Sequence, residues 1–267
     1  MKSFLHHFFI FFQKAGNLRN QALCTSPSIQ RMMERKCGSL RIGVLIVLCA
    51  LSIGLTQERA APVQAPATSL SGLTVALDPG HGGYDGGARA RDSGIWEKEL
   101  TLQIALAAEE ALTRRGAQVI LTRRTDEDLA GETLRGKARK RADLQKRLDL
   151  AEEAGADVFL SIHLNEYRSR SESGPQVFYQ RGADEGRLLC GALQEALIQT
   201  LKPDKERKAM AGDYYVLRGA LPAALVECGF LSNAAEEKLL LDPAYQRRIG
   251  EALAEGLETY AALREKV

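Results

Sequence analysis

Two histidines and one glutamate each stand where a short apolar run ends. Val75-Ala76-Leu77 leads through Asp78 and Pro79 into the turn Gly80-His81-Gly82-Gly83, Val158-Phe159-Leu160-Ser161-Ile162 leads into His163, and Ala223-Ala224-Leu225-Val226 leads into Glu227. A lone loop histidine is commonly no more than a polar residue, but here the pattern recurs three times. A catalytic zinc typically takes three protein ligands from His and Asp/Glu and leaves a fourth position for water. His81 and His163 are two candidates. The third should be an acid nearby, and both Glu97 and Glu99 qualify, just beyond the glycine-rich Gly82–Gly94 segment. A carboxylate at a helix start also suits the helix dipole, and spacing alone does not choose between the two. Glu227 remains as the candidate general base. Zinc lowers the pKa of its water towards about 7, and a carboxylate in reach can collect the proton and hand it to a leaving amine. A glutamate in that position could instead cap a helix beginning near Asn233.

The elements that must position these groups alternate. Leu73–Leu77, Gln118–Thr122, Val158–Ile162, Gly174–Tyr179 and Ala223–Val226 read as short buried strands. Between and after them lie helical patterns at Glu97–Arg114, Lys140–Ala154, Glu185–Leu201 and Pro243–Leu263, the first with Leu100, Ile104, Ala107, Ala108, Ala111 and Leu112 on one face. Such alternation predicts an α/β fold: a single three-layer domain with a mainly parallel sheet flanked by helices. The C-terminal ends of the strands, where the three candidate residues sit, are where ligands bind in open sheets of this kind. Gly131–Arg141 reads as a charged, mobile loop, and Asn233, with Glu236 three residues on, reads as a helix cap.

The 267 residues, 45% hydrophobic and 26% charged, suffice for one domain with a large core plus an appendage. A net charge of +2 gives no reason to expect nucleic acid as a partner. Five cysteines, odd in number and without close-paired spacing, indicate neither a disulfide framework nor a zinc knuckle, and Cys228 reads as a small packing residue.

The N-terminus is different in kind. Ile42–Leu55 is an apolar run preceded by Arg31, Arg35, Lys36 and Arg41, the build of a secretory signal or anchor. It is short for a spanning helix, which needs roughly twenty residues, although Thr56 and Gln57 extend it. No good small-x-small cleavage site follows, which favours an uncleaved signal anchor over 42–57, a cytoplasmic extension over 1–41 and an extracytoplasmic domain. Met32 and Met33 stand where an ordinary anchor would begin, so residues 1–31 are expected not to be translated. Residues 58–71, rich in Ala, Pro, Gln and Ser, read as a linker to a domain over 72–267.

Four stretches together carry a family resemblance. Asp78-Pro79-Gly80-His81-Gly82-Gly83-x-Asp85-x-Gly87-Ala88, Glu97-Lys98-x-x-x-Leu102, Ser161-Ile162-His163-x-Asn165 and Glu227-x-Gly229-Phe230-Leu231-Ser232-Asn233 resemble the zinc-dependent N-acetylmuramoyl-L-alanine amidases of the amidase-3 type, in order, across about residues 73–261. The resemblance implies hydrolysis of the amide joining the lactyl group of muramic acid to the L-alanine of the peptidoglycan stem. It implies one zinc ion held by His81, Glu97 and His163, with Glu97 chosen over Glu99 because it directly precedes the lysine, and Glu227 as the catalytic glutamate. Arg147 falls where the family carries an arginine; it reads as a helix-surface charge or, less often, a substrate contact. Asn165 reads equally as a loop cap or a substrate contact. Leu164 replaces the usual alanine after His163 and is expected to alter the pocket wall. Tyr214-Tyr215-Val216-Leu217 and Leu241-Asp242-Pro243-x-Tyr245-Gln246 are similar to the spore-germination branch of that family. That branch implies a role in spore cortex, as the first step towards muramic-δ-lactam, with a polysaccharide deacetylase completing the lactam and a lipoprotein as activator. It also fits an enzyme outside the cytoplasm, anchored or secreted, on the forespore side. The alternatives are a zinc peptidase acting on the stem peptide and a non-catalytic wall-binding protein.

Overall fold

Strand and helix alternate along the chain as β1 (Thr74–Pro79), α1 (Glu97–Arg114), β2 (Gln118–Leu121), α2 (Gly136–Glu153), β3 (Val158–Asn165), β4 (Gln176–Gln180), α3 (Asp184–Leu201), β5 (Met210–Gly212), a single 3-10 turn (Tyr215–Leu217), β6 (Ala223–Phe230), α4 (Ala234–Leu240) and α5 (Pro243–Arg264). The structure is a computed structural model that describes residues 69–265 except Glu132. The extension, the anchor and nearly all of the linker lie outside the described residues, among which no helix is long and apolar enough to cross a membrane. Leu70, the penultimate linker residue by sequence, packs in the core at 1% exposure, with its N–H on the carbonyl of Arg115.

The six strands lie in the order β2-β1-β3-β6-β4-β5. β1 pairs in parallel with β2 and β3, β3 with β6, and β4 with β5; β4 runs antiparallel to β6. The sheet is therefore mainly parallel, as expected, with one antiparallel seam. Successive side chains on a strand point to opposite faces. Val75, Leu77, Leu160, Ile162 and Val226 enter a large apolar cluster with residues of α1, α3 and α5, among them Leu100, Ile104, Leu193 and Leu257. Ala76, Phe159, Ala223 and Leu225 point the other way, onto Leu148 and Ala151 of α2 and Val216 and Leu217 of the 3-10 turn. The alternation that puts Phe159 and Leu225 on this thinner side puts His163 and Glu227 there too.

Several elements differ from the sequence expectation, β3 and β6 among them, which run past Ile162 and Val226 to Asn165 and Phe230. α2 starts at Gly136, so the second half of the expected mobile loop is helix. Its first turns carry Lys, Arg and Ala, good helix formers with no apolar stripe, and packing begins only at Leu144 and Leu148. β5 and the 3-10 turn, three residues each, are too short to show a period. Leu164 is also displaced from its expected place: it is buried at 2% in the apolar cluster, not in the pocket wall. The Asn233 side chain accepts from the N–H groups of Ala235 and Glu236, capping α4. Glu236 does not complete a capping box, because its carboxylate accepts from Gly174 and Phe230.

Candidate active site

β1, β3 and β6 are neighbours, so the three apolar runs deliver their polar residues to one place. His163 and Glu227 are paired in register across β3 and β6. His81 lies two residues beyond the end of β1. Nδ1 of His163 is 2.9 Å from Glu97 Oε1, and Nε2 of His81 is 3.2 Å from Glu97 Oε2. The two imidazoles stand edge to face with centroids 4.8 Å apart. All three ligand-capable atoms lie within 4.8 Å of one another. Tetrahedral zinc with bonds of about 2.0–2.1 Å has donor–donor edges of roughly 3.3 Å, so the carboxylate-to-imidazole spacings suit such an ion.

Glu97 is fixed before any ligand arrives. It is 4% exposed and opens α1. Its Oε2 accepts from the Ala88 N–H at 2.8 Å and its Oε1 from the Leu164 N–H at 3.0 Å. The latter donor is available because the β3–β6 ladder shifts register between His163 and Asn165. Burial works against its charge, but the hydrogen bonds from His163 and His81 outweigh that and hold its carboxyl well below the usual range. Glu99, its rival by spacing, instead accepts from the Trp96 N–H at the start of α1.

The His81 turn is strained and clamped. His81 has φ of 62°, in the left-handed region that costs a non-glycine residue of order 1–2 kcal/mol. Three successive carbonyls hold it there. Pro79 O accepts from Arg123 Nε at 2.9 Å and Arg147 Nη1 at 2.9 Å, Gly80 O accepts from Arg123 Nη2 at 3.0 Å and Thr101 Oγ1 at 2.8 Å, and His81 O accepts from Arg147 Nη2 at 2.7 Å. Arg123 also reaches Lys98 O at 2.8 Å, one residue past Glu97, and so ties both ligand-bearing segments together. Burial without a directly bonded carboxylate, reinforced by the Arg147 charge, pulls Arg123 down to about 10. Close approach sets two glycines: a Cβ on Gly80 would lie 2.4 Å from the His163 ring, and one on Gly87, 2.6 Å from Glu97 Oε2.

Arg147 is 1% exposed, so it is no helix-surface charge. It bonds Asp143 through Nε at 2.9 Å and Asp78 through Nη1 at 2.7 Å, besides the two carbonyls just named. With Nη2 also 3.3 Å from Asp143 Oδ1, its donors are spent inside the protein. Asp78, 1% exposed, further accepts from Thr122 Oγ1 and Ser161 Oγ, each at 2.6 Å. Burial works against its charge, but Arg147 and the two hydroxyls lower its pKa below the ordinary value.

Asp85, visible in the sequence only as part of the glycine-rich motif, also touches this cluster. Its Oδ2 lies 3.0 Å from His81 Nδ1, at ion-pair distance though out of line for a hydrogen bond, and 3.0 Å from Lys140 Nζ. Burial opposes a charged His81, but Asp85 and Glu97 outweigh it and raise its pKa to about 9. Glu227 is the opposite case. Its Oε2 is buried without a hydrogen-bond partner. Burial, reinforced by the nearby Glu97 charge, pushes its pKa up to about 8. It does not cap α4, whose start belongs to Asn233. Asn165 is half-buried at the bulge, with its carbonyl accepting from the Leu231 N–H, and its side chain makes no hydrogen bond among the described residues. A cleft of about 170 Å³ opens over this cluster, walled by His81, His163, Tyr214, Tyr215 and Lys140. Cys190 and Cys228 are buried free thiols, remote from ligand duty by their place in the apolar core.

A family profile described as N-acetylmuramoyl-L-alanine amidase matches residues 75–259. A germination-specific N-acetylmuramoyl-L-alanine amidase of Bacillus subtilis is 38% identical over 193 residues, covering 72% of this chain and 81% of that protein. Among solved structures, the CwlD amidase from Clostridioides difficile in complex with the GerS lipoprotein is similar, with a TM-score of 0.69 and 35% identity over 72% of this chain and 99% of that one. The catalytic domain of CwlV, an N-acetylmuramoyl-L-alanine amidase from Bacillus (Paenibacillus) polymyxa, is similar too, with a TM-score of 0.62 and 31% identity over 71% and 98%.

Proposed function

Because the chain belongs to the amidase-3 family of N-acetylmuramoyl-L-alanine amidases, we propose that it cuts the amide between the muramic lactyl group and L-alanine at the His81–Glu97–His163 centre. In this reading one zinc ion is held by those three residues, Glu227 is the general base, and Asn165 contacts substrate. Zinc bound there supplies a Lewis acid for the scissile carbonyl and lowers the pKa of water. Glu97 keeps both oxygens aimed at the centre because each is held by a backbone N–H. Arg123 and Arg147 hold the His81 turn in its strained form, so the imidazole needs no rearrangement when substrate arrives. Arg147 thus acts through His81, not on the substrate.

The observation that carries the reading is the buried, unpartnered Oε2 of Glu227 beside a preformed donor triad. Burial of a carboxylate without a partner costs stability, and such groups concentrate where a proton must move. Glu227 Oε2, hydrogen-bonded to no other group, can take the proton of the attacking water and return it to the alanine nitrogen as the amide breaks. The likeness to a germination-specific amidase and to one solved with a lipoprotein supports a spore-cortex setting outside the cytoplasm and a lipoprotein activator. There, stem removal would be the first step towards muramic-δ-lactam, finished by a deacetylase. The test is incubation of the full chain with purified peptidoglycan. Free stem peptides with L-alanine amino termini should appear, stop with a chelator and resume with zinc. Shortened stems on an intact muramoyl–alanine bond would mean a peptidase, and wall binding without release would mean a scaffold.

A further inference from the structure

The catalytic cleft does not end at Lys140. Lys140, Leu144 and Tyr215 wall both the cleft over the ligand triad and a second, more open hollow of about 230 Å³, which Lys137, Arg141 and Arg218 complete. Four exposed cations thus surround a path that starts at His81. Asp85 fixes Lys140 at the junction at 3.0 Å. Beyond it, the guanidinium groups of Arg141 and Arg218 lie 5.5 and 5.8 Å from the centroid of one ring, that of Tyr215, whose hydroxyl is anchored to Gln145 at 2.7 Å. Arg218 pairs with Asp213. Among the described residues, Lys137 and Arg141 have no carboxylate at ion-pair distance.

Crowding like charges is unfavourable, and doubly so here. Lys137, Lys140 and Arg141 occupy the first turns of α2, which hold no acidic residue, where the helix dipole also disfavours cations. Asp85 and Asp213 offset Lys140 and Arg218, but the charge of Lys137 and Arg141 has no carboxylate partner among the described residues and so no ion-pairing use in the fold. It does have one in recognition: guanidinium and ammonium groups beside an aromatic wall take carboxylates.

We propose that this basic hollow binds the carboxylates of the stem peptide beyond its first alanine and selects stems that carry them free, not amidated. The proposal rests on the amidase reading, since it runs the peptide from the scissile bond at His81 past Lys140 to Arg141. Peptidoglycan stems carry carboxyl groups on the second and later residues, which in some walls are amidated, so the hollow would discriminate between wall chemistries.

Two measurements test it. Calorimetry of the full chain with the peptide L-Ala-γ-D-Glu-meso-diaminopimelate needs no turnover. Binding should weaken about tenfold when the D-glutamyl carboxyl is an amide, and about tenfold in Lys137→Gln and Arg141→Gln, the scale of a lost charge-assisted contact. Arg187→Gln, an exposed cation on α3, should leave it unchanged. In turnover, muramoyl-L-Ala-D-isoGlu should exceed muramoyl-L-Ala-D-isoGln in kcat/KM by about tenfold, mostly through KM, and this preference should collapse in Arg141→Gln. Equal binding of acid and amide peptides, unaltered in the two variants, overturns the proposal. Charge-selective binding with no cleavage of either muramoyl peptide, with zinc supplied, breaks the amidase reading and leaves the hollow's specificity standing.

Discussion

On one face of the sheet, α1, α3 and α5 bury Leu, Ile, Val and Ala in an apolar cluster that runs the length of the domain. On the other, α2 and the 3-10 turn cover a short apolar patch, and past Phe159 and Leu225 the packing changes to Asp78, Arg147, Asp143, Ser161 and Thr122. The apolar face needs only volume and pattern, and it tolerates exchange of one hydrophobe for another. The polar face needs each donor matched to its acceptor, because a buried charge left alone costs several kcal/mol. The difference separates stability from preorganisation. The apolar face holds the sheet together; the polar face sets the angle of one histidine.

Glu227→Gln gives the largest effect. The neutral amide keeps the shape of the side chain but cannot accept the proton, so the rate of stem release should fall about 10²–10⁴-fold. Stability should not fall, since a partnerless buried carboxyl is removed; a loss in chemical denaturation would show that Glu227 is part of the scaffold. Arg147→Met comes next. It strands Asp78 and Asp143 in a dry interior and should cost about 3–5 kcal/mol in denaturation, with zinc affinity lost in the fraction still folded. Ile104→Ala on the apolar face, fully buried, should cost about 2–5 kcal/mol yet leave zinc affinity of the folded protein intact. If the two variants weaken zinc equally, the faces are not distinct in the sense argued above.

The same contrast explains what could be read from the chain. α1 was legible to the residue because its apolar spacing and the break at Gly94 both mark it. His81, His163 and Glu227 were legible because each polar residue interrupts a run of apolar ones, but the strand ends were not: β3 runs on to Asn165 and β6 to Phe230, so His163 and Glu227 lie inside their strands. Arg147 was not. On a helix as polar as α2, nothing local distinguishes Arg147 from Arg141, although one is buried and the other exposed. Its burial follows from Asp78, an acid inside an apolar strand that had to find a cation, and that pairing spans 69 residues. Arg123 was missed for the same reason: it serves backbone carbonyls, and those leave no trace in side-chain pattern. Periodicity reports packing against a surface, whereas a polar network is a set of distant pairings.

Ser161→Ala is the finest probe of the polar face, because it removes one hydroxyl from Asp78 and nothing else. At neutral pH it should cost about 1 kcal/mol, the net value of a hydrogen bond. The pH dependence is more telling. The pKa of Asp78 is lower in the folded state than its ordinary 3.8, so its contribution is present above the unfolded value and is lost as pH falls through the folded one. Ser161 is one cause of that lowering, so in the variant the folded pKa rises towards 3.8 and the two states differ less. Denaturation midpoints measured from about pH 5 downwards should therefore fall less steeply in Ser161→Ala than in the unmodified chain, while Ile104→Ala, on the other face, should shift the whole curve down without changing its slope. An unchanged acid limb in Ser161→Ala would mean that Asp78 is held ionised by Arg147 and Thr122 alone, and that the serine serves the strand and not the network.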